Sequence, residues 1–209
     1  MRYELTPLSE IAFKYGSDKC PQLGHHSYTD YYFHLLSKQR KGIRKVLEIG
    51  MGTGKTAGAA LRMWRDFFPY AYIYGTTTNQ ESLIKEKRIK TFLSDHTNPD
   101  DLKKLIETIG SDIDLVIENV TDDPNEQVAT CLNLMPLLDK KTTYIIEDVP
   151  DPTILNKLSR YDRHIPNVGH NVRKPNNTLI VVTRKKMEKV SIIIPSCNEK
   201  YEVKPGMTV

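Results

Sequence analysis

A glycine-rich segment at residues 46–56, VLEIGMGTGKT, is the part of the sequence best suited to chemistry. A short apolar run leads into Gly50, Gly52 and Gly54, and a helical pattern follows directly. Glycine lets the backbone turn sharply and lets a ligand approach without an intervening Cβ atom. The helix behind the turn offers free backbone N–H groups. We therefore expect a ligand to bind where this strand ends.

Three classes of ligand use such a turn, and the spacing of the glycines separates them. A phosphate-binding P-loop needs glycine, four residues and then Gly-Lys-Ser/Thr; the ending is present at residues 54–56, but Gly50 lies one residue too late. A dinucleotide turn needs Gly-x-Gly-x-x-Gly, and Lys55 occupies its third glycine position. A third pattern, Glu-x-Gly-x-Gly-x-Gly, is complete in Glu48, Gly50, Gly52 and Gly54. The third class is favoured, with a P-loop-like nucleotide-binding protein or another doubly wound protein as alternatives.

Short apolar runs alternate with amphipathic segments from residue 46 onward. The runs are rich in β-branched and aromatic residues, as buried strands are; they lie at residues 46–50, 71–75, 89–93, 113–117 and 143–146. Apolar residues at helical spacing lie at residues 57–68, 99–109 and 124–138. This alternation predicts an α/β fold, a Rossmann-like doubly wound sheet that is mostly parallel and has helices on both faces.

Segments at either end of the chain lie outside this alternation. Residues 8–15 and 28–36 have helical patterns within an N-terminal unit of residues 1–42. Residues 163–168 and 178–184 have strand patterns and predict a C-terminal antiparallel hairpin on a core of residues 43–184. Residues 185–209 combine a charged linker with a run, VSIIIPSCNE, that resembles the first strand of family-2 glycosyltransferases. We expect an extra edge strand there or the start of a fused glycosyltransferase-like domain.

Composition and charge exclude several classes of protein. The 209 residues, 39% of them hydrophobic and 27% charged, are typical of a globular protein. No apolar run approaches the ~20 residues that span a bilayer. A net charge of +4 is too small to indicate nucleic-acid binding. Cys20, Cys131 and Cys197 form no disulfide or metal pattern, and no apolar signal segment opens the chain, so a cytoplasmic location is expected.

The complete glycine pattern resembles motif I of the class I S-adenosylmethionine-dependent methyltransferases. Further segments extend the resemblance to one branch, the metal-dependent sugar O-methyltransferases of macrolide tailoring. They are YGSDK at 15–19, HSY at 26–28, LRMWRDFFP at 61–69, IYG at 73–75, FLSD at 92–95 and YIIED at 144–148. The match covers residues 11–184 in the family's order. It implies an enzyme that transfers a methyl group to a sugar hydroxyl of a glycan or glycosylated small molecule.

The resemblance also implies a cofactor site around the glycine turn. An N-terminal helical cap, with Lys19 and His26 in its loop, would fold over S-adenosylmethionine. The implied cofactor-binding residues are Lys19, Glu48, Gly50, Gly52, Thr77, Asn79, Asp95 and His96. After the second strand the family has an acid that binds both ribose hydroxyls, because a carboxylate only accepts hydrogen bonds. This chain offers the neutral side chains of Thr77 and Asn79 instead.

A second departure concerns the metal and the general base. After the fourth strand the family carries an aspartate on the metal and a histidine as base, and this chain has Asn119 and Asp122 at those positions. The acid pair after the fifth strand is present as Glu147 and Asp148. Because hard cations prefer oxygen ligands, the implied Mg²⁺ ligands are Asn119, Glu147 and Asp148. The departures leave open a catalytically inactive methyltransferase-like binding module.

The predicted mechanism follows from the chemistry of methyl transfer. The acceptor oxygen must be aligned with the methyl group and must lose its proton. We expect Mg²⁺, held partly by Asp148, to clamp two neighbouring sugar hydroxyls while Asp122 removes the proton. Because an unperturbed aspartate is a weak base near neutral pH, His164 and His170 are alternatives for that role.

Overall fold

An eight-stranded sheet forms the centre of the computed structural model, which describes residues 5–23, 26–168 and 178–184. Its strands are β1 (Lys45–Ile49), β2 (Tyr72–Thr77), β3 (Lys85–Glu86), β4 (Ile89–Leu93), β5 (Leu115–Glu118), β6 (Thr143–Ile146), β7 (Asp162–His164) and β8 (Ile180–Thr183). Their order across the sheet is β3-β4-β2-β1-β5-β6-β8-β7. The two outermost pairs at the C-terminal side, β6–β8 and β8–β7, are antiparallel.

Helices cover both faces of this sheet. They are α1 (Pro7–Tyr15), α2 (Tyr28–Leu36), α3 (Ala59–Phe67), α4 (Pro99–Ile109) and α5 (Pro124–Leu134). Three of them begin at proline behind a polar cap, in which Thr6, Asn98 or Asp123 accepts a hydrogen bond from a backbone N–H of the first turn. This pairing of cap and proline fixes a helix start because it satisfies a free N–H and presets the backbone.

The parallel strands β1, β2, β4, β5 and β6 all end on one side of the sheet, which we call the carboxyl edge. Strand β1 pairs in parallel with β2 on one side and with β5 on the other. The chain order therefore reverses at β1, and loops from the two halves of the sheet diverge there. In open α/β sheets this is the position at which ligands bind.

Alternate residues of each strand enter two separate hydrophobic clusters. Val46 and its face neighbours pack with α1, α2 and α3, where Trp64 is fully buried. Leu47 and its face neighbours pack with α4 and α5, around the buried ring of Tyr144. Because successive side chains point to opposite faces, Glu48 faces the first cluster and the Trp64 indole.

The predicted α/β fold is confirmed, including the C-terminal hairpin. The prediction that a helix follows the glycines directly is wrong, because a short 3₁₀ turn, Gly54–Thr56, and a left-handed Gly58 precede α3. Gly58 has a φ of 71°, which favours glycine, and a Cβ atom there would also displace the terminal methyl group of Ile84. Strand β3 was not predicted, since it consists of two charged residues.

The described residues contain no helix long and apolar enough to cross a membrane. The predicted linker and glycosyltransferase-like strand at 185–209 lie outside the described residues, as does His170. The division into an N-terminal cap and a core stays a prediction.

Candidate active site

The glycine turn lies at the carboxyl edge, directly after β1. Gly50, Gly52 and Gly54 all have positive φ, at 84°, 74° and 60°. The Met51 N–H donates to the carbonyl oxygen of Thr76 at 3.2 Å, and the Gly58 N–H donates to the carbonyl oxygen of Met51 at 2.9 Å. The turn is thus held from β2 and from the start of α3, in a backbone conformation that favours glycine.

Gly50 is required by a close approach between two loops. A Cβ atom there would overlap the carbonyl oxygen of Asn119 and would lie 2.7 Å from the Cα atom of Val120. The Asn119 N–H in turn donates to the Ile49 carbonyl oxygen at 2.8 Å. Gly54 differs, since a Cβ atom there would meet no described atom within 4 Å. The first glycine therefore packs the β5–α5 loop onto β1, whereas the third faces open space.

A polar cavity of about 410 Å³ lies beside the turn, between it and the end of β2. Its lining residues are Gly54, Lys55, Ala57, Arg62, Asn79, Glu81, Ser82 and Ile84. Thr77 accepts the Asn79 N–H at 3.1 Å, and Asn79 Oδ1 accepts the Glu81 N–H at 2.9 Å. The side-chain oxygens of Thr77 and Asn79, the two residues predicted to bind the ribose, thus already accept hydrogen bonds from backbone N–H groups of their own turn. The carboxylate in this cavity belongs to Glu81, which the sequence analysis did not single out.

Asp95 and His96, predicted to bind the cofactor, occupy the loop after β4. Asp95 Oδ1 accepts from the Thr97 N–H at 2.8 Å and from the Thr97 hydroxyl at 2.7 Å. These bonds lower the pKa of the Asp95 carboxyl. His96 Nε2 lies 3.4 Å from Glu126 Oε2, at the start of α5. Both residues therefore lie at the carboxyl edge, and their contact with a cofactor stays a prediction.

Three ionisable side chains form a buried cluster beneath the turn: Lys19, Glu48 and Glu147. The Lys19 ammonium pairs with Glu147 Oε2 and lies 3.4 Å from Glu48 Oε1. The Tyr32 hydroxyl donates to Glu147 Oε1 at 2.5 Å, and the Trp64 indole N–H donates to Glu48 Oε2 at 2.9 Å. All three ionisable residues are no more than 1% exposed. The cluster ties the N-terminal loop to the ends of β1 and β6.

The cluster contains one basic group, the Lys19 ammonium, and two acidic groups, the carboxyls of Glu48 and Glu147. Burial opposes the charge of Lys19, but Glu147 and Glu48 outweigh burial and raise its pKa. Burial raises the pKa of both carboxyls, for Glu147 to about 8, although Lys19 opposes that shift. One ammonium therefore faces two carboxyl groups that titrate as a unit. Burial therefore favours a proton on this pair of carboxyls, and the Lys19 ammonium opposes it.

Asp148 follows directly and has the more accessible carboxylate, with 18% of its side chain exposed. Its backbone is left-handed at φ 54°, which is strained for a residue other than glycine. Asp148 Oδ1 accepts from the Tyr28 hydroxyl at 2.5 Å and lies 3.2 Å from His26 Nδ1. The His26 and Tyr28 rings stack, with centroids 4.7 Å apart. Strain of this kind at a sheet edge is typical of functional sites.

The remaining residues of the implied metal and base sites lie in the β5–α5 loop. Asn119 is half-buried, and Asp122 is exposed and makes no hydrogen bond or ion pair with another described residue. Its neighbour Asp123 caps α5. In the described part of the chain, no three His, Cys, Asp or Glu side chains form a group that could hold a metal ion. Asn119 and Asp148 could supply oxygen ligands, but the third predicted ligand, Glu147, is already held by Lys19 and Tyr32.

His164, the alternative base, lies at the end of β7, which is the fourth strand from β1 in the sheet order. Burial lowers the pKa of its imidazole. His26 was predicted only as part of the loop over the cofactor, and Tyr28, Tyr32 and Trp64 were not predicted as partners of the acids. Periodicity could only have marked these aromatic residues as core.

Glu118, at the end of β5, is a further buried carboxyl that sequence reasoning did not use. It is 1% exposed, Oε2 accepts from the Tyr144 hydroxyl at 2.6 Å, and Oε1 has no hydrogen-bond partner among the described residues. Burial raises its pKa from 4.5 to about 8, against the opposing Tyr144 bond. At neutral pH the folded protein therefore keeps this carboxyl largely protonated.

We expect the Glu118→Gln variant to have a flatter dependence of stability on pH. A carboxyl whose pKa is higher in the folded state stabilises the fold fully below its unfolded pKa, and that contribution is lost as pH rises through the folded pKa. The wild type should therefore lose stability relative to Glu118→Gln between about pH 5 and pH 8, by a few kcal/mol at most. Urea unfolding across this range measures the difference. A Glu107→Gln control on exposed α4 should follow the wild type, and parallel profiles for Glu118→Gln would contradict the assignment.

No protein-family model matches the chain. The doubly wound sheet, its antiparallel C-terminal strands and the glycine turn at the carboxyl edge together define the fold of a class I S-adenosylmethionine-dependent methyltransferase. The predicted resemblance to the macrolide sugar O-methyltransferases is also confirmed.

Two curated relatives and one solved structure carry this resemblance. The chain is 32% identical over 145 residues to the 8-demethyl-8-alpha-L-rhamnosyl tetracenomycin-C 2'-O-methyltransferase of Streptomyces olivaceus, covering 68% of this chain and 37% of the relative. It is 31% identical over 145 residues to the mycinamicin VI 2''-O-methyltransferase of Micromonospora griseorubida, covering 68% and 36%. The MycE methyltransferase from the mycinamycin biosynthetic pathway, solved with Mg and SAH, superposes with a TM-score of 0.69 at 26% identity, covering 86% of this chain and 55% of that one. The chain thus spans little more than a third of these curated relatives.

Proposed function

We propose that this chain is the methyltransferase core of an S-adenosylmethionine-dependent enzyme that methylates a sugar hydroxyl of a glycan or glycosylated small molecule. The observation that carries the proposal is the turn formed by Gly50, Gly52 and Gly54, in left-handed conformation at the carboxyl edge. The similarity to the tetracenomycin and mycinamicin sugar O-methyltransferases supports this choice of reaction and acceptor. A fused glycosyltransferase domain and a cytoplasmic location stay predictions.

The residues around the turn fit S-adenosylmethionine in shape and polarity. A ligand above Gly54 meets no Cβ, and the neighbouring cavity offers acceptors at its β2 side. We assign the ribose hydroxyls to Glu81, since its carboxylate supplies the two charged oxygens that Thr77 and Asn79 lack. The cluster of Lys19, Glu48 and Glu147 lies beneath the turn and holds the N-terminal loop against it. The cofactor would supply an electrophilic methyl group on a sulfonium.

The acceptor hydroxyl must be positioned and must lose its proton, and for positioning the carboxyl edge offers Asp148. Its carboxylate is partly exposed and is oriented by the Tyr28 hydroxyl. Asp122 is exposed in the next loop and stays the predicted base. Mg²⁺, which the MycE structure contains, would be held in this chain by Asn119 and Asp148, where it would lower the cost of deprotonating a sugar hydroxyl. Glu147 joins them only if Lys19 releases it.

A catalytically inactive binding module is the second candidate. Asn119 replaces a charged metal ligand with a neutral one, and Asp122 makes no described contact that would raise its basicity. Such a module would retain the glycine turn and the buried cluster, and it would bind the cofactor without turnover.

The first test is cofactor binding measured by thermal unfolding. S-adenosylhomocysteine at a hundredfold excess over its Kd should stabilise the chain by about 2.7 kcal/mol, because it binds only the folded state. ATP with Mg²⁺ should not stabilise the chain.

The Glu81→Gln variant should bind S-adenosylhomocysteine about tenfold more weakly, and the exposed Glu107→Gln control should bind as the wild type does. A response to ATP alone would favour the P-loop-like alternative.

Turnover separates the enzyme from the binding module. Incubation with S-adenosylmethionine, Mg²⁺ and a panel of rhamnosylated and macrolide glycosides should add 14 mass units, one methyl in place of hydrogen, to a sugar, detected by mass spectrometry. Asp148→Asn should abolish the product while leaving S-adenosylhomocysteine binding intact. Cofactor binding with no product on any glycoside would assign the chain to the inactive class.

A further inference from the structure

A second cavity, of about 520 Å³, lies on the opposite side of the sheet from the glycine turn. Its lining residues are Pro136, Lys140, Arg160, Tyr161 and Arg184. Strand β8 is antiparallel to β6, and Thr183, its last residue, pairs with Thr143, the first residue of β6. Arg184 therefore follows β8 at the amino ends of the parallel strands. The cavity is separate from the candidate active site at the carboxyl edge.

The lining of this cavity is strongly basic. It contains three cationic side chains and no carboxylate, and within residues 5–23, 26–168 and 178–184 none of the three forms an ion pair. Two other cationic side chains at the same edge are ion-paired, since Lys141 pairs with Asp114 at 3.2 Å and Lys45 pairs with Asp112 at 2.5 Å. An unpaired set of like charges on a concave surface attracts a counter-ion.

Arg184 is the least exposed of the three cationic side chains, and a contact of its own holds it in place. One of its terminal nitrogens donates to the Met135 carbonyl oxygen, which fixes the guanidinium at the end of α5. Its Nε atom is buried and has no hydrogen-bond partner among the described residues. Asp162, whose Oδ2 atom is also buried and unpaired in the described chain, does not line the cavity.

The size and the lining together indicate the chemical class of the ligand. A cavity of this volume is in the range of small-molecule sites. Guanidinium groups bind phosphate oxygens through paired N–H donors, and lysine adds a point charge. The rings of Tyr161 and Pro136 supply the apolar part of the wall.

We propose that the cavity between Lys140, Arg160 and Arg184 binds a phosphorylated small molecule at a site separate from the methyl-transfer site. The phosphate contacts the two arginines and the lysine, and the organic part lies against Tyr161. The inference does not depend on the proposed methyltransferase activity.

Calorimetric titration with pyrophosphate tests this site. The wild-type chain should bind pyrophosphate, and the Lys140→Ala/Arg160→Ala double variant should bind it at least about tenfold more weakly. Both substituted residues are exposed, so the fold should be retained. The Lys103→Ala/Lys104→Ala double variant removes the same charge from exposed positions on α4 and should bind as the wild type does.

Two results would overturn the proposal: no pyrophosphate binding by the wild type, or equal binding by the wild type and the Lys140→Ala/Arg160→Ala variant. Equal binding would place the anion elsewhere, for example at Lys55 beside the glycine turn. S-adenosylhomocysteine binding serves as the second readout, and it should be the same in all variants. Loss of that binding would concern the methyltransferase assignment and leave the anion site unaffected.

Discussion

Replacing Lys19 by methionine should lower the free energy of unfolding at neutral pH by about 3–5 kcal/mol. The variant leaves Glu48 and Glu147 buried without the ammonium that lies between them. Buried charges cannot be solvated, so the carboxyls must take up protons or the fold must open. For a chain of this size the expected decrease in Tm is about 10 °C. The stability lost by Lys19→Met should be smaller at pH 5 than at pH 8, because protonation of Glu48 and Glu147 removes the uncompensated negative charge.

Three comparisons make this prediction specific. Lys14→Met removes a lysine whose side chain is 64% exposed and should leave stability close to that of the wild type, because exposed ion pairs contribute little. Adding Glu147→Gln to Lys19→Met should restore part of the loss. Mg²⁺ should stabilise Lys19→Met more than the wild type, since the ammonium no longer competes for Glu147. A Lys19→Met protein with wild-type stability at pH 8 would show that the cluster is not ionised as we describe.

Replacing Gly50 by alanine should disrupt both the fold around the turn and cofactor binding. The φ angle of 84° costs an L-residue about 1–2 kcal/mol. In addition the new Cβ would overlap the carbonyl oxygen of Asn119, and backbone on both sides leaves little room to relax. We expect a total loss of about 3 kcal/mol or more. S-adenosylhomocysteine binding, measured by calorimetry, should weaken by at least about tenfold.

Gly54→Ala is the matched control in the same turn. Its φ of 60° carries a similar backbone cost, but no described atom lies within 4 Å of the added methyl group. Gly54→Ala should therefore lose only about 1–2 kcal/mol. Equal losses in the two variants would mean that backbone strain alone, and not the contact with the β5–α5 loop, requires glycine at position 50.

Most of the fold was predictable because local patterns determine it. The strands β1, β2, β4, β5 and β6 are short apolar runs, and each coincides with a predicted strand to within two residues at either end. Proline behind a polar cap marked the starts of α4 and α5. The start of α3 was missed because Gly58 caps the helix in a left-handed conformation, at φ 71°, which the periodicity of apolar residues does not indicate.

The candidate site was less predictable because its interactions join residues far apart in the chain. The pairing of Lys19 with Glu147 and of Tyr28 with Asp148 spans more than a hundred residues in each case. Sequence patterns identified the acids but not their partners, and these partners determine which carboxylate is accessible. Glu147 and Asp148 are adjacent in the chain, yet one is enclosed by Lys19 and Tyr32 and the other is partly exposed.

The two outermost strands of the described sheet, β3 and β7, have a consequence for self-association. Each has two or three residues, and each carries charged side chains: Lys85 and Glu86 in one, Asp162 and Arg163 in the other. Short, charged edges give an approaching strand few backbone groups to pair with and force it to bury charge. Addition of another chain to either rim, the first step toward amyloid-like stacking, is therefore disfavoured.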